Sequence, residues 1–509
     1  MTSDGDLSAA RWAWSSVWGE QGDRDETAPD FDPDALALDL AARFARAMRG
    51  SGRAGAAVAA EAIWARIDGP LPERGVPRES LLDELEDRVW EGLAGTTGPR
   101  HFGYVTGGLL PGAAAAKAWS VALDQNLGLW ALSPAGAELE QVTLRWLAEL
   151  LGYPWATGVF TTGATMANTV ALAVARHAFA RRHGVDVAKD GVRALPPYAI
   201  YGSAELHLSD HKAIRTLGLG SGAVRRIPID GAYAMRPVLL AEAMARDAAE
   251  GIQPLAVIAQ AGSVNTGASD PLEAIADVCG ERGTWLHVDG AFGAFFRLCE
   301  RTAPLVAGLE RADSLAVDGH KWLNLPHGTG WALLRDPELH REAFAGTAGY
   351  LTRTRGAGQD LHELGIEASR DWRGVAAWAA LKELGREGVV ELVTRCCDLT
   401  RELVGMVERS ERLEVTAPAP TCVACFRYRP DGWRNGPKLD ELNRRIVQAL
   451  AASEDVFVTG ATLMNGFCVR ACIVNWRTRR DDVEALVRAV ESAGHDLADV
   501  GSGPVQGDR

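Results

Sequence analysis

From about residue 112 onward, short apolar runs alternate with amphipathic helical stretches, and this alternation limits the possible folds more than any other feature of the chain. A strand that is apolar along its whole length must be covered on both faces. Strands separated by a helix-length crossover run parallel. The runs at 158–161, 255–260, Trp285–Asp289 and Ser314–Asp318 fit this description, and each is followed within two residues by Gly or Thr. Residues 198–201 are also strand-like. The expected fold class is α/β, with a mostly parallel sheet.

At 509 residues the chain is too long for one core, so two packed domains and an appended segment are expected. The first about 30 residues are polar and read as disordered, and helical spacing follows over 34–67 and 78–94. These make a segment 1–95 ahead of a large domain 96–375. From Ala376 a long helical run leads into a small α+β domain, 376–509. There, strand-like 422–428 and 467–476 accompany helices at 439–452 and 481–494, and the stretch after Leu497 reads as loose. The first residues lack a signal-peptide pattern, and no run approaches the ~20 apolar residues that cross a bilayer, so a cytoplasmic protein is expected. A net charge of −14 argues against nucleic-acid or anionic-membrane partners. Cys422, Cys425, Cys468 and Cys472 could in principle hold zinc, but they lie in strand-like segments. Buried reduced thiols, with no metal, are the expectation.

In an open parallel sheet, ligands bind beyond the carboxyl ends of the strands, so the residues following each run are the informative ones. Two runs end in Asp289 and Asp318, and Gly319-His320-Lys321 follows the second. Lysine occurs only six times in the chain, and only Lys321 directly follows an apolar strand and a glycine turn. A desolvated lysine forms an imine with an aldehyde, whereas arginine does not. Gly163-Ala164-Thr165 precedes a helix expected over 169–180, and such a start offers backbone N–H groups to a phosphate. His207 follows the 198–201 run and could stack on a flat ring. No G-x-G-x-x-G follows a strand and no P-loop occurs, so dinucleotide and ATP readings lack support. Lysine, phosphate site, ring-nitrogen acid and flat neighbour together are what pyridoxal 5'-phosphate requires.

The sequence resembles the group II pyridoxal-phosphate-dependent decarboxylases, the family of aromatic-amino-acid and glutamate decarboxylases, from about His101 to Arg477. The resemblance is carried by Trp285-Leu-His-Val-Asp289-Gly-Ala291-Phe-Gly293 and by Ala312-Asp-Ser-Leu-Ala-Val-Asp318-Gly-His320-Lys321-Trp322-Leu-Asn324. Gly163-Ala-Thr165-Met-Ala-Asn168, His207-Leu-Ser209 and Phe102-Gly-Tyr104 support it. It implies the aspartate-aminotransferase-like fold (fold type I) and a homodimer with active sites at the subunit interface, which the N-terminal helical segment wraps. It further implies that Lys321 forms the Schiff base, Asp289 pairs with the pyridine nitrogen, and His207 and Ala291 contact the two ring faces. Gly163, Ala164, Thr165, Asp318 and His320 would surround the phosphate. Tyr104, Trp130 and Arg370 match substrate-pocket positions, Trp130 from across the interface, although Asp371 stands where the family usually has a second basic residue.

Relatives carry a tyrosine on a mobile loop that protonates the quinonoid carbon. The corresponding residues 352–365 contain none, leaving His362 or the preceding Tyr350 as proton donors, or a loop without a catalytic role. The expected reaction is decarboxylation of an L-amino acid to an amine and CO2, with Tyr104, Trp130 and Phe102 suggesting an aromatic or apolar side chain. Two alternatives stay open. One is decarboxylation with oxidative deamination to an aldehyde; the other is a degenerate scaffold or binding homologue, which would stay colourless with the cofactor.

Overall fold

The computed structural model describes residues 33–49, 54–55, 58–75, 78–154, 156–346 and 358–500. The N-terminal 32 residues, Tyr350, residues 352–357 and the last nine residues, on which some of the expectations above fall, lie outside them.

A seven-stranded sheet forms the centre of the molecule. Its strands are β1 (Thr157–Thr161), β2 (Tyr198–Ser203), β3 (Val224–Ile227), β4 (Gln253–Gln260), β5 (Trp285–Asp289), β6 (Ser314–Asp318) and β7 (Gly330–Leu334), in the order β1-β7-β6-β5-β4-β2-β3. The five strands from β6 to β3 are parallel. β7 is antiparallel to both of its neighbours. Neither β3 nor β7 was expected from the sequence. The connection 319–329 between β6 and β7 is too short for a crossover, so the chain can only turn back on itself. That turn carries Lys321. β5 and β6 are adjacent, with Asp289 opposite Ala316, so their acidic ends share one edge of the sheet.

The helix Ala164–Arg182 begins five residues earlier than its expected start. Gly163, at φ +145°, turns the chain abruptly out of β1, a conformation closed to other residues. A Cβ on Gly330 would lie 2.7 Å from the Gly163 Cα, so both glycines are needed for this approach. The cap of the helix comes from β6: Asp318 Oδ1 accepts from Ala164 N at 2.9 Å. A cap from a distant strand leaves no local sequence signal.

A second, antiparallel sheet is built from β8 (Leu413–Val415), β9 (Val423–Tyr428), β10 (Thr459–Leu463) and β11 (Gly466–Cys472), in the order β10-β11-β9-β8. It packs with the helices Pro437–Ala451 and Arg480–Val500. The long helix Gly374–Arg409, interrupted at Gly385, links the two regions and begins two residues before the boundary expected at 376. Cys422, Cys425, Cys468 and Cys472 are buried free thiols. Among the described residues, no cluster of His, Cys, Asp or Glu is arranged to hold a metal ion.

Residues 34–67 do not form one helix. Pro33–Arg49 and Ala60–Ile67 are separate, with Gly50-Ser51-Gly52 between them in the sequence, followed by Arg78–Val89. In the single chain Leu38 and Trp64 on these helices, and Leu71 in the connection that follows Ile67, are exposed, the last at 91%. No helix among the described residues is long and apolar enough to cross a membrane.

Candidate active site

The β6–β7 turn presents Lys321 at the carboxyl edge of the sheet, where its Nζ lies 3.3 Å from Asp318 Oδ2. Asp318 therefore connects two parts of the site, taking the helix N–H of Ala164 on one oxygen and the ammonium on the other. The turn is held rigidly. Asn324, fully buried at φ +49°, donates to the Trp322 and Val474 carbonyls at 2.8 and 3.0 Å and accepts from Trp476 N at 3.1 Å. Gly107 N donates to the His320 carbonyl at 3.0 Å, and a Cβ there would come within 2.5 Å of the Lys321 carbonyl. The segment before Pro111 thus lies directly across the lysine turn.

Asp289 is buried at the end of β5. Its Oδ1 accepts from Ala291 N at 3.0 Å, and its Oδ2 accepts from Asn168 Nδ2 at 3.0 Å. Burial pushes this carboxyl up, but Lys321, His207, the Ala291 N–H and His287 outweigh it and leave Asp289 below the usual carboxylate range. It is an anion, as a partner for a protonated ring nitrogen must be. Asn168 is also bonded through its Oδ1 to His287 Nε2 at 3.0 Å, and His287 Nδ1 lies 2.9 Å from Ser314 Oγ. Because an amide oxygen only accepts, the His287 hydrogen sits on Nε2. This chain of contacts fixes the orientation of the Asp289 carboxylate.

His207 caps the helix Leu208–Thr216, with Nδ1 accepting from Ser209 N at 3.2 Å and lying 2.7 Å from Ser209 Oγ. The Gln260 amide, on the strand beside Asp289, accepts from His207 N at 3.2 Å. Burial lowers the His207 pKa, and the charges of Asp289, Lys321 and Asp318 all act on it, so it faces the same crevice. Thr165 is exposed on the first turn of its helix. His320 Nδ1 lies 3.3 Å from Asp318 Oδ1 but outside hydrogen-bond geometry, a buried nitrogen without a partner. An amine, a buried anion, a flat ring, a helix start and an unpartnered imidazole nitrogen therefore meet at one crevice, and this set fits pyridoxal phosphate.

The expected substrate residues are placed differently. The Arg370 guanidinium is buried (2% exposed), donating to Glu140 Oε2 at 2.8 Å and to the Phe160 carbonyl at 2.9 Å. Two of its N–H groups are thereby committed inside the protein. Phe102 is fully buried in the core and offers no apolar pocket wall. Tyr104, at φ +55°, is 64% exposed, with its ring 6.2 Å from that of Phe457. Trp130 and His362 belong to one stitched region. Trp130 N donates to Asp360 Oδ1 at 2.8 Å, and His362 N donates to the Gly128 carbonyl at 3.0 Å. Among the described residues, neither forms a hydrogen bond or ion pair with Lys321, Asp289 or His207.

Arg470, on β11, was not singled out from the sequence. It is 3% exposed, and its Nε and Nη1 donate to the Val264 and Tyr104 carbonyls at 2.6 and 2.8 Å. Its Nη2 is buried without a partner. Arg370, Arg373 and Arg427, the other buried arginines among the described residues, each pair with a carboxylate, whereas Arg470 does not. Both Arg470 and Lys321 act electrostatically on Cys472, which places the two cations in one neighbourhood. Arginine is so frequent in this chain that no sequence signal distinguished this one.

The buried histidines predict how stability depends on pH. Burial holds His101, His287, His320 and His340 at about 4, below the ordinary 6.5. On acidification from pH 6.5 the unfolded chain therefore takes up protons that the folded chain refuses, and the stability these groups contribute above pH 6.5 is lost. Asp270, raised by burial to about 6, and Asp210, raised well above the carboxylate range, act in the opposite direction over the same range but are outnumbered. The apoprotein is expected to lose about 3 kcal/mol between pH 7 and pH 5. Urea midpoints that coincide at the two pH values would contradict this.

The family model for the pyridoxal-dependent decarboxylase conserved domain matches residues 61–429. The cysteine sulfinic acid decarboxylase of Rattus norvegicus is 30% identical over 443 residues, which are 85% of this chain and 89% of the relative. The aromatic-L-amino-acid decarboxylase of Bacillus atrophaeus is 27% identical, over 85% of this chain and 89% of its own. The crystal structure of mouse CSAD superposes with a TM-score of 0.85 at 27% identity, over 91% of this chain and 99% of that one. The chain belongs to the pyridoxal-dependent decarboxylase family, with pyridoxal phosphate as its cofactor and amino-acid decarboxylation as its reaction.

Proposed function

We propose that this protein decarboxylates an L-amino acid with an aromatic or apolar side chain, as a homodimer in the cytoplasm, with Lys321 as the residue that carries the cofactor. The observation that supports this most is the position of the Lys321 ammonium, 3.3 Å from Asp318 in the crevice that also holds the buried Asp289 anion. When bound, pyridoxal phosphate supplies an electrophilic carbon for the substrate amine and a sink for the electron pair freed as CO2 departs. Lys321 would hold the cofactor through its amine. Asp289 would keep a proton on the ring nitrogen by opposite charge, and the Asn168 and Ala291 donors keep its oxygens aimed. His207, its ring angle set by Ser209, would cover a ring face. The helix start at Gly163–Thr165 would hold the phosphate.

Arg470 anchors the substrate carboxylate. Its buried, uncompensated charge is otherwise costly, and a free Nη2 is the donor such an anion needs. The Tyr104 ring supports the aromatic or apolar preference, while the cysteine sulfinic acid decarboxylase relative keeps acidic amino acids in the test panel. A second copy of the chain would cover the exposed Leu38, Trp64 and Leu71 and bring its Trp130 and His362 region to this crevice. His362 would then return the proton to Cα. Buried, unpaired thiols suit a reducing compartment.

The overall change is one amino acid and one proton giving one amine and one CO2. The absence of tyrosine from 352–365 favours a second outcome, in which O2 and water are consumed and aldehyde, CO2, ammonia and H2O2 form. The test is a panel of aromatic, apolar and acidic L-amino acids under air, measuring CO2, amine, ammonia and peroxide. Amine equal to CO2 from aromatic or apolar substrates supports the reading. Stoichiometric peroxide replaces it with the oxidative one, and turnover of acidic substrates alone overturns the side-chain preference. Arg470→Met is expected to raise KM about 10- to 100-fold, the range of one charged hydrogen bond. An unchanged KM removes Arg470 from the substrate site.

A further inference from the structure

Asp210 is the one buried acid in this region to which the chemistry above assigns no role. It lies on the first turn of the helix Leu208–Thr216 and is 0% exposed, and among the described residues no side chain donates to either of its side-chain oxygens, only its own backbone N–H acting on the carboxyl. No cation pairs with it among the described residues. The adjacent Ser209 Oγ lies 3.4 Å from Asp289 Oδ2, which brings the first turn of this helix onto the Asp289 carboxyl. The Asp210 carboxyl lies within hydrogen-bonding reach of that of Asp289, and burial together with this neighbouring negative charge raises its pKa well above the usual carboxylate range.

Two carboxyls in contact in a buried site cannot both be anions. Which one keeps the proton follows from what faces each. Asp289 is faced by Lys321, His207 and His287, and receives the Ala291 and Asn168 donors. Asp210 is faced by the like charge of Asp289 and by no cation, with only its own backbone N–H favouring the anion. The anion therefore resides on Asp289 and the proton on Asp210. A buried hydroxyl in turn needs an acceptor, and the Asp289 carboxylate beside it supplies one.

We propose that Asp210 is a permanently protonated carboxylic acid that donates a hydrogen bond to Asp289, acting as a positioning residue that keeps the cofactor's proton on the ring nitrogen. Asp289 with this extra donor is a weaker base, so a proton lying between it and the ring nitrogen stays on nitrogen, where it deepens the electron sink. The proposal rests on the reading of Asp289 as the ring-nitrogen partner, but the protonation of Asp210 does not, because it exists before any cofactor binds.

Infrared difference spectroscopy of wild type against Asp210→Asn, first as apoprotein and then loaded with pyridoxal phosphate, at pH 8, tests the first half. The wild type should show the carbonyl stretch of an undissociated carboxylic acid that the variant lacks. A difference confined to ionised-carboxylate bands would overturn the proposal. The second half is read from the pH titration of the bound cofactor's visible absorption. Asp210→Asn, which still donates, should overlay the wild type and keep kcat within about 3-fold. Asp210→Leu, which cannot donate, should shift the titration by a pH unit or more and lower kcat about 10-fold or more with KM little changed. A leucine variant that titrates like the wild type, or an asparagine variant shifted as far as leucine, would overturn the positioning role. An apoprotein with the acid band that takes up no pyridoxal phosphate would sink the cofactor reading while leaving the carboxyl pair standing.

Discussion

Lys321→Ala is expected to lower kcat by at least about 10³-fold, toward the upper end of what one positioned catalytic group contributes. The loss should fall on chemistry rather than on cofactor retention. The helix start, Asp289 and His207 remain in place without the lysine, so pyridoxal phosphate should still bind. Borohydride reduction separates the two effects. In the wild type it should attach the cofactor to the peptide containing His320-Lys321-Trp322, and in the variant the cofactor should dialyse away after reduction. Lys117, Lys189, Lys212, Lys382 and Lys438 remain in the variant as alternative amines. Label on any of them in the wild type, or more than a tenth of the activity left in Lys321→Ala, would remove Lys321 from its role. Asp318 makes Lys321 the favoured site, since its carboxylate fixes the ammonium at 3.3 Å at the crevice.

Glu140→Ala should destabilise the fold by about 3–5 kcal/mol, the cost of leaving one member of a buried ion pair uncompensated. Glu140 and Arg370 are 1% and 2% exposed, joined at 2.8 Å, and Glu140 also accepts from Gly374 N at 2.8 Å, at the start of the long helix. Removing the acid strands a guanidinium and frees a helix N–H together. Replacing both partners with apolar residues, Glu140→Leu with Arg370→Met, should recover much of the loss, because neither charge is then left buried. Denaturant midpoints measure all three proteins. A loss below about 1 kcal/mol for Glu140→Ala would contradict the account. An Arg370→Met protein that keeps its stability but shows a tenfold higher KM would return Arg370 to the substrate pocket, where the resemblance had put it.

β5 and β6 could be read from the sequence to the residue. Trp-Leu-His-Val-Asp and Ser-Leu-Ala-Val-Asp are apolar runs ending in an acid and a glycine, and a strand covered on both faces has to be written that way. β7 was missed although Gly-Trp-Ala-Leu-Leu is no less apolar, because no helix precedes it to mark a crossover. The start of the helix Ala164–Arg182 was misjudged by five residues because its cap, Asp318, lies more than 150 positions away. His207, Asp289 and Lys321 stood out in the sequence because their residue types suit one cofactor. Asn168 and Asp210 had no such mark. An amide and an acid in a helical stretch look like solvent-facing residues until a fold buries them.

Local sequence determined the chemical groups available and the ends of the strands that carry them, because a buried strand's composition and a glycine turn are properties of neighbouring residues. Tertiary structure alone decided what each charge faces. Arg370 meets Glu140 and so belongs to the framework, whereas Arg470 meets only carbonyl oxygens and keeps a free donor. Asp289 meets cations and is an anion, whereas Asp210 meets a like charge and no cation and keeps its proton. The free energy of a buried charge depends on partners brought together by folding, across separations in the chain that no local pattern records.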